Sequence, residues 1–318
     1  MKHLVVIDGH HLMYRAFYAI PKTLKTKNGE LTNAVYGVAS MLISMLKMEE
    51  PDAMVFCFDK GEDTFRHQEN ATYKEGRAET PDEFYTQIPR IMEMIDAFGI
   101  KYVSDGKYEA DDFLGAYACA AEKQGMRVTI VTGDRDAFQL ATKNVHVSIP
   151  HKGYMQPEYL GPEQILAKYG VRPDQIASYK GLIGDASDNL PGVQGIGPKT
   201  AAVLLQKYDT LKGVYEHLED IKPTIRAKLE KDKDKAFFCE HMATLVCDLP
   251  LPESLEALQL QGKPYESVKE FFESLQFNTL QKRFEAVVKS PYGQGKFLQP
   301  EIKAAAVTPL KKDQLSLF

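Results

Sequence analysis

Long apolar runs are missing from this sequence. None approaches the length of a membrane-spanning helix, and the opening MKHLVVIDGHH offers four apolar residues (4–7) before Asp8. That is too short for the apolar segment of a secretion signal, so no membrane partner is expected. Cysteine is scarce: Cys57, Cys119, Cys239 and Cys247 form no CxxC pair and no His/Cys ligand spacing. A disulfide frame and a zinc site are thereby excluded, and reduced thiols in a cytoplasmic protein are expected. No repeat of solenoid period is found. A Walker A loop is absent, and no strand precedes the one glycine-rich turn, which excludes a dinucleotide fingerprint. Positive charge is also lacking. A net charge of −5 over 318 residues makes a nucleic-acid binder a poor first guess.

What is present alternates. HLVVI (3–7), AMVFCF (53–58), RVTIV (127–131) and VHVSI (145–149) are short β-branched runs that read as buried strands. Between them, 32–48, 82–98 and 109–125 carry helical apolar spacing, the last two ending at Gly99 and Gly125. Such alternation predicts an α/β fold, a mostly parallel sheet flanked by helices, with sites beyond the carboxyl ends of the strands. From Val171 to Pro252 the pattern is helical, without a convincing strand. From Pro291 no sustained apolar period remains, and a flexible tail is expected.

Acids collect where the strands end. Asp8 follows LVVI, Asp59 follows MVFCF, and Asp134 and Asp136 follow VTIVTG. Glu109 and Asp112 stand three apart at the start of a helix with Asp111 between them, and Asp185 and Asp188 repeat that spacing. A lone aspartate is usually a cap, turn or surface charge. A converging set is harder to dismiss, because two carboxylates about 4 Å apart repel by roughly 4 kcal/mol at an effective dielectric of about 20. VVIDGHH, YEADDFLGA and GDASDN contain no lysine or arginine to neutralise them. Oxygen-only ligands favour Mg²⁺ or Mn²⁺, and a set this large suggests two ions clamping a phosphodiester. With these nine acids set aside, the net charge of −5 becomes +4. The remaining surface can then meet a nucleic-acid backbone.

One residue past Asp188 comes LPGVQGIGPKTAA, with Gly192, Gly195 and Gly197, Pro198 at an expected first helical position, then Lys199 and Thr200. Glycines let backbone N–H groups approach a phosphate at a helix N-terminus. A tight interhelical turn without ligand fits the glycines equally well.

These stretches together resemble the 5′→3′ nuclease domain of bacterial DNA polymerase I, a member of the flap endonuclease superfamily. The resemblance spans about 4–252 and rests on VIDGHHLMYRAFYA, FRHQENATYKEGRAETP, YEADDFLGAYA, VTGDRDAFQL and GLIGDASDNLPGVQGIGPKTA. It implies a PIN-like nuclease domain (1–170) with a helical arch at about 64–98. A helix–three-turn–helix module (171–255), a helical segment (256–290) and the tail (291–318) would follow. All nine acids fall on the family's metal-ligand positions. Gly195, Ile196, Gly197, Lys199 and Thr200 would grip duplex backbone, in that family often with K⁺. In the arch, Lys74 would stabilise charge on the scissile phosphate, Arg77 would contact phosphate and Tyr73 would stack on a base. Arg66, Tyr14 and Arg15 would also lie near substrate. His10, His11 and His67 are expected to be structural or substrate-facing.

The implied activity is a 5′→3′ exonuclease and flap endonuclease, with Asp134 among its catalytic acids. Its DNA would carry a 5′ flap, nick or gap, with RNA–DNA hybrids as further substrates. The first strand ends DGH, without the second aspartate that dehalogenase-type phosphatases use. A PIN-like ribonuclease is disfavoured by the duplex-gripping module, and a non-catalytic junction binder by nine carboxylates. The chain stops at Phe318, which reads as a stand-alone, monomeric form. Its end, QLSLF, resembles the peptide by which bacterial proteins dock on the replication sliding clamp, through Gln314, Leu315, Leu317 and Phe318.

Overall fold

In the computed structural model, residues 1–61, 64–76, 80–263 and 265–297 are described. Strands β1 (His3–Asp8), β2 (Ala53–Cys57), β3 (Lys101–Val103), β4 (Arg127–Val131), β5 (Val145–Ile149) and β6 (Glu158–Leu160) form one sheet, ordered β3-β2-β1-β4-β5-β6. The first five are parallel, and β6 runs antiparallel to β5. Every residue of β1 and β2 is buried, because both faces of the sheet are covered. Leu4 and Val6 face one core cluster, Val5 and Ile7 the other. The four expected strands are present. The edge strands β3 and β6 have three residues each, too short to leave a pattern.

Helices α1 (Gly9–Ala19), α2 (Asn33–Glu49), α3 (Phe65–Glu69), α4 (Asp82–Tyr85), α5 (Ile88–Ala97) and α6 (Ala110–Lys123) belong to the first half. The expected helix over 82–98 is two, α4 and α5. Between them Gln87 turns its side chain to the Ala34 N–H and the Glu83 carbonyl, and Pro89 opens α5. The second half holds α7 (Pro162–Tyr169), α8 (Ile176–Ile183), α9 (Pro198–Tyr208), α10 (Leu211–Glu216), α11 (Pro223–Lys231) and α12 (Lys233–Ala243). Helix α8 lies against α9 and α12. A Cβ on Gly181 would stand 2.7 Å from the Ala236 carbonyl oxygen, so only glycine lets α8 and α12 approach this closely.

Helices α13 (Glu266–Ser274), α14 (Asn278–Val288) and α15 (Pro291–Gln294) return to the first half, α13 against α5 and α14 against α2. The tail expected from Pro291 does not start there. Ser290 caps α15 by accepting the Gly293 N–H, Tyr292 donates to the Pro51 carbonyl, and Phe297 is buried against Phe284. A capping serine followed by proline starts a helix without any apolar period to announce it. The expected docking residues Gln314, Leu315, Leu317 and Phe318 lie outside the described residues. No helix of the described residues is long and apolar enough to cross a membrane.

Candidate metal centre

The parallel strands deliver their acids to one edge. Asp8 ends β1 and caps α1, accepting the His11 N–H (3.0 Å) and the Thr132 hydroxyl (2.8 Å). Asp59, just past β2, accepts the Ala110 N–H at the start of α6 (2.8 Å). Asp134 follows β4 and accepts the Asp136 N–H (2.8 Å). Burial pushes the Asp8 carboxyl up to about 7, and Asp59 and Asp134 add repulsion. Burial likewise drives Asp111 well above the usual carboxylate range, with Asp134 and Asp8 contributing. Asp8, Asp59, Asp111 and Asp134 thus form one mutually repelling group of oxygen donors, the chemistry that a hard cation neutralises.

A second group lies beside it. One carboxylate oxygen each from Asp136, Asp185 and Asp188 lies within 4.8 Å of the others. Asp185 and Asp188 sit on a short hairpin closed by paired backbone hydrogen bonds between Asp185 and Leu190, both 2.8 Å. A Cβ on Gly192 would stand 2.1 Å from the Gly184 nitrogen, and Gly184 itself has φ +79°. Gly192 therefore serves backbone contact within the protein, the tight-turn alternative of the two the glycines left open. Lys180 ion-pairs with both Asp136 and Asp185. Burial opposes the charged form of Asp185, but the Lys180 ammonium and the Ser187 donors hold its carboxyl below the usual range.

Glu109 lies between the groups. It caps α6 and accepts from the Lys74 ammonium (2.9 Å) and the Tyr73 hydroxyl (3.1 Å). Burial works against the Lys74 charge, but Glu109, Asp111 and Asp188 outweigh it and raise the pKa. Lys74 has φ +59° and its N–H bonds to the Asp188 carbonyl (3.1 Å), which anchors this segment to the Asp185–Asp188 hairpin.

Three expected roles change. Asp112 is fully buried, its carboxylate held by two parallel bonds from Arg66 (2.7 and 2.9 Å) and by the Glu109 and Val246 amides. It anchors the start of α6 and has no face turned to a cation. Arg66, 1% exposed, also donates to the Met242 and Thr244 carbonyls, so it cannot meet DNA from this position. Tyr73 is 5% exposed with its hydroxyl shared between Glu109 and Asp188, so no ring face is open to a base. Sequence reasoning missed Lys180 and Thr132. Both stand within five positions of a candidate ligand, but neither spacing is diagnostic.

Tyr14 stacks on Phe84 at 4.4 Å and bonds to Thr80. Arg15 lines a cavity beside it with His11. The His11 Nε2 is buried without a hydrogen-bond partner, and its ring is pressed against Gly133. His10 accepts the Asp59 N–H (3.2 Å), and His67 pairs with Thr64. Arg77 lies outside the described residues. In the glycine turn, Gly195 has φ +81° and its carbonyl accepts from Lys228. Ile196 is buried, Gly197 stands in open space before α9, and Lys199 and Thr200 lie in the first turn of that helix. A cleft of about 540 Å³ is lined by Asp134, Arg135, Lys180, Asp185 and Ser187 together with Pro198, the first residue of α9.

A parallel sheet with carboxylates at its C-terminal edge, continued by a helical module across a cleft, defines a class of metal-binding α/β proteins. The family model for the 5′-3′ exonuclease N-terminal resolvase-like domain matches residues 3–170, and that for the 5′-3′ exonuclease C-terminal SAM fold matches 171–266. The chain belongs to the 5′-3′ exonuclease family. It is 44% identical over 283 residues to DNA polymerase I of Bacillus subtilis (strain 168), covering 89% of this chain and 32% of that protein. Thermostable DNA polymerase I of Thermus aquaticus is 40% identical over 288 residues, 91% of this chain and 33% of that protein. The chain spans about a third of the length of these relatives. Among solved structures, the T5 D15 protein co-crystallised with metal ions superposes with TM-score 0.64 at 17% identity, over 90% of this chain and 98% of that one. Flap endonuclease-1 from Methanococcus jannaschii gives 0.57 at 19%, over 89% and 91%. At such identity the likeness shows the fold.

Proposed function

We propose that this chain is a divalent-metal-dependent 5′→3′ exonuclease and flap endonuclease, hydrolysing DNA near single-strand/duplex junctions in replication and repair. The observation that carries the reading is the cleft shared by the acidic centre and the start of α9. The reading is supported by family membership and by the T5 flap endonuclease complex with DNA and metal ions, of TM-score 0.64. Bound Mg²⁺ or Mn²⁺, two ions by the number of acids, would supply an activated water and offset charge on the phosphate.

The chain's own residues do the rest. Asp8, Asp59, Glu109, Asp111 and Asp134 would hold one ion, and Asp136, Asp185 and Asp188 the other. Lys74, drawn to Glu109 when DNA is absent, would turn to the scissile phosphate and stabilise its developing charge. Arg77 would contact the same phosphate. Gly195–Thr200 would grip duplex backbone, with K⁺ as a bridging ion. Tyr14 and Arg15 would line the path of the displaced strand. Nicked, gapped and 5′-flap DNA and RNA–DNA hybrids are the proposed partners, and QLSLF a docking peptide for the sliding clamp. The setting is cytoplasmic and the working form a monomer.

Cleavage of labelled 5′-flap, nicked and single-stranded DNA, with Mg²⁺ and with chelator, tests this. Asp134→Ala and Lys74→Ala should each lower the cleavage rate at least about a hundredfold, with DNA affinity nearly unchanged. Cleavage that survives chelation, or full activity in Asp134→Ala, would reject the reading.

A further inference from the structure

Lys180 does not belong to the expected constellation, yet it stands inside it. Its ammonium contacts Asp136 and Asp185, two of the three acids whose oxygens gather within 4.8 Å. The side chain is only 14% exposed. Among the described residues the first acidic group is covered differently: Asp8 and Asp59 take hydrogen bonds from backbone amides and a threonine, His10 stands 3.8 Å from Asp59, and Lys74 pairs with one acid of the group, Glu109, rather than two.

The backbone beneath Lys180 is locked. Its carbonyl accepts from the Cys239 thiol and the Gly184 N–H, and α8 is pressed against α12 at Gly181. The four-carbon stem is therefore the part that can move. It has somewhere to go, because Lys180 lines the cleft that runs to Pro198.

We propose that Lys180 is a built-in counter-ion of the second cation site, and that its ammonium and a divalent ion occupy that site in turn. The inference rests on the metal-dependent reading above and names what regulates it. Without DNA the ammonium offsets the charge of Asp136 and Asp185, so the second ion binds weakly. A DNA phosphate entering the cleft takes over the ammonium and vacates the site. The second ion is thereby admitted with substrate, which discourages idle loading. Lys180 is a positioning residue in this scheme, acting through the acids it covers.

Mn²⁺ titration of the DNA-free protein, followed by electron paramagnetic resonance and calorimetry, tests it. The parent should show one tighter and one weaker site. In Lys180→Met the weaker site should tighten at least about tenfold, since a positive charge in contact with two carboxylates is removed. The tighter site should stay within about twofold, because Lys180 does not touch its acids. Lys180→Arg keeps the charge and should keep the weak site weak. A merely structural lysine would weaken binding on removal, not tighten one site. If Lys180→Met does not fold without metal, Lys180→Gln replaces it, read by the rise in Tm on adding Mn²⁺. That rise should exceed the parent's.

Two equally tight sites in the parent, or unchanged or weaker second-site affinity in folded Lys180→Met, would overturn the inference and leave metal dependence standing. No Mn²⁺ binding by the parent at all would overturn both.

Discussion

Arg66, Tyr73 and Lys74 sit within nine positions of one another and were expected to face DNA, yet two of them face inward. Arg66 fills the space between α6 and the C-terminal end of α12, where its donors meet Asp112 and the Met242 and Thr244 carbonyls. Its work is to hold the acidic start of α6 against the second module. Arg66→Ala should cost about 3–5 kcal/mol in urea unfolding, because Asp112 would keep its two amide donors but be left buried without a counter-charge. Arg66→Lys should recover only part of this, since one ammonium cannot replace a two-pronged contact. Unchanged stability in Arg66→Ala would contradict the anchoring role. Tyr73 differs in scale: its hydroxyl bridges Glu109 and Asp188, so Tyr73→Phe should cost only about 1–2 kcal/mol.

At the scale of elements, the site depends on one hairpin. The stretch from Gly184 to Gly192 brings two acids from the helical half to the sheet edge. Its geometry rests on the close backbone contact between the two glycines. Gly192→Ala places a Cβ against backbone that cannot rotate away, and should destabilise by about 1–3 kcal/mol while weakening cation binding. Calorimetry with Mn²⁺ reads both, and an unaltered cation affinity would show that the hairpin tolerates the change. Much of this level was legible. Asp8, Asp59 and Asp134 could be placed because each follows an apolar run, and parallel strands put their ends on one edge. Asp112 could not be told from Asp111, because one residue of rotation on α6 separates the cleft from the core. The partner that reveals the difference, Arg66, is 46 positions away. Likewise Tyr292 and Phe297 gave no periodic signal, because their burial comes from distant partners, the Pro51 carbonyl for Tyr292 and Phe284 of α14 for Phe297.

At the scale of the molecule, the two ends of the described chain meet. Asp52, before β2, accepts the Lys2 and His3 amides (2.6 and 3.2 Å), and its other oxygen pairs with Lys296 (2.5 Å). The N-terminal strand and the C-terminal helices are thereby tied at the sheet edge opposite the acids. Burial alone would raise the Asp52 carboxyl, but the Lys296 ammonium and the two amides outweigh it and lower it to about 2. In the unfolded chain an aspartate titrates near pH 3.9. The native state therefore binds this proton less readily. The stabilisation is complete above about pH 4 and is lost as pH falls towards 2. Solvent reaches the pair, so the contribution is about 1 kcal/mol. Asp52→Asn should lower stability by that amount at pH 7 in urea unfolding. The gap to the parent should hold down to about pH 4.5 and narrow below pH 4, as the parent's own carboxylate is protonated. Lys296→Met should lose a similar amount at pH 7, and adding it to Asp52→Asn should cost little more, because both remove the same pair. A gap that stays constant from pH 7 to pH 2.5, or two losses that simply add, would mean that the ends are held by Phe297 and Tyr292 packing and not by this ion pair.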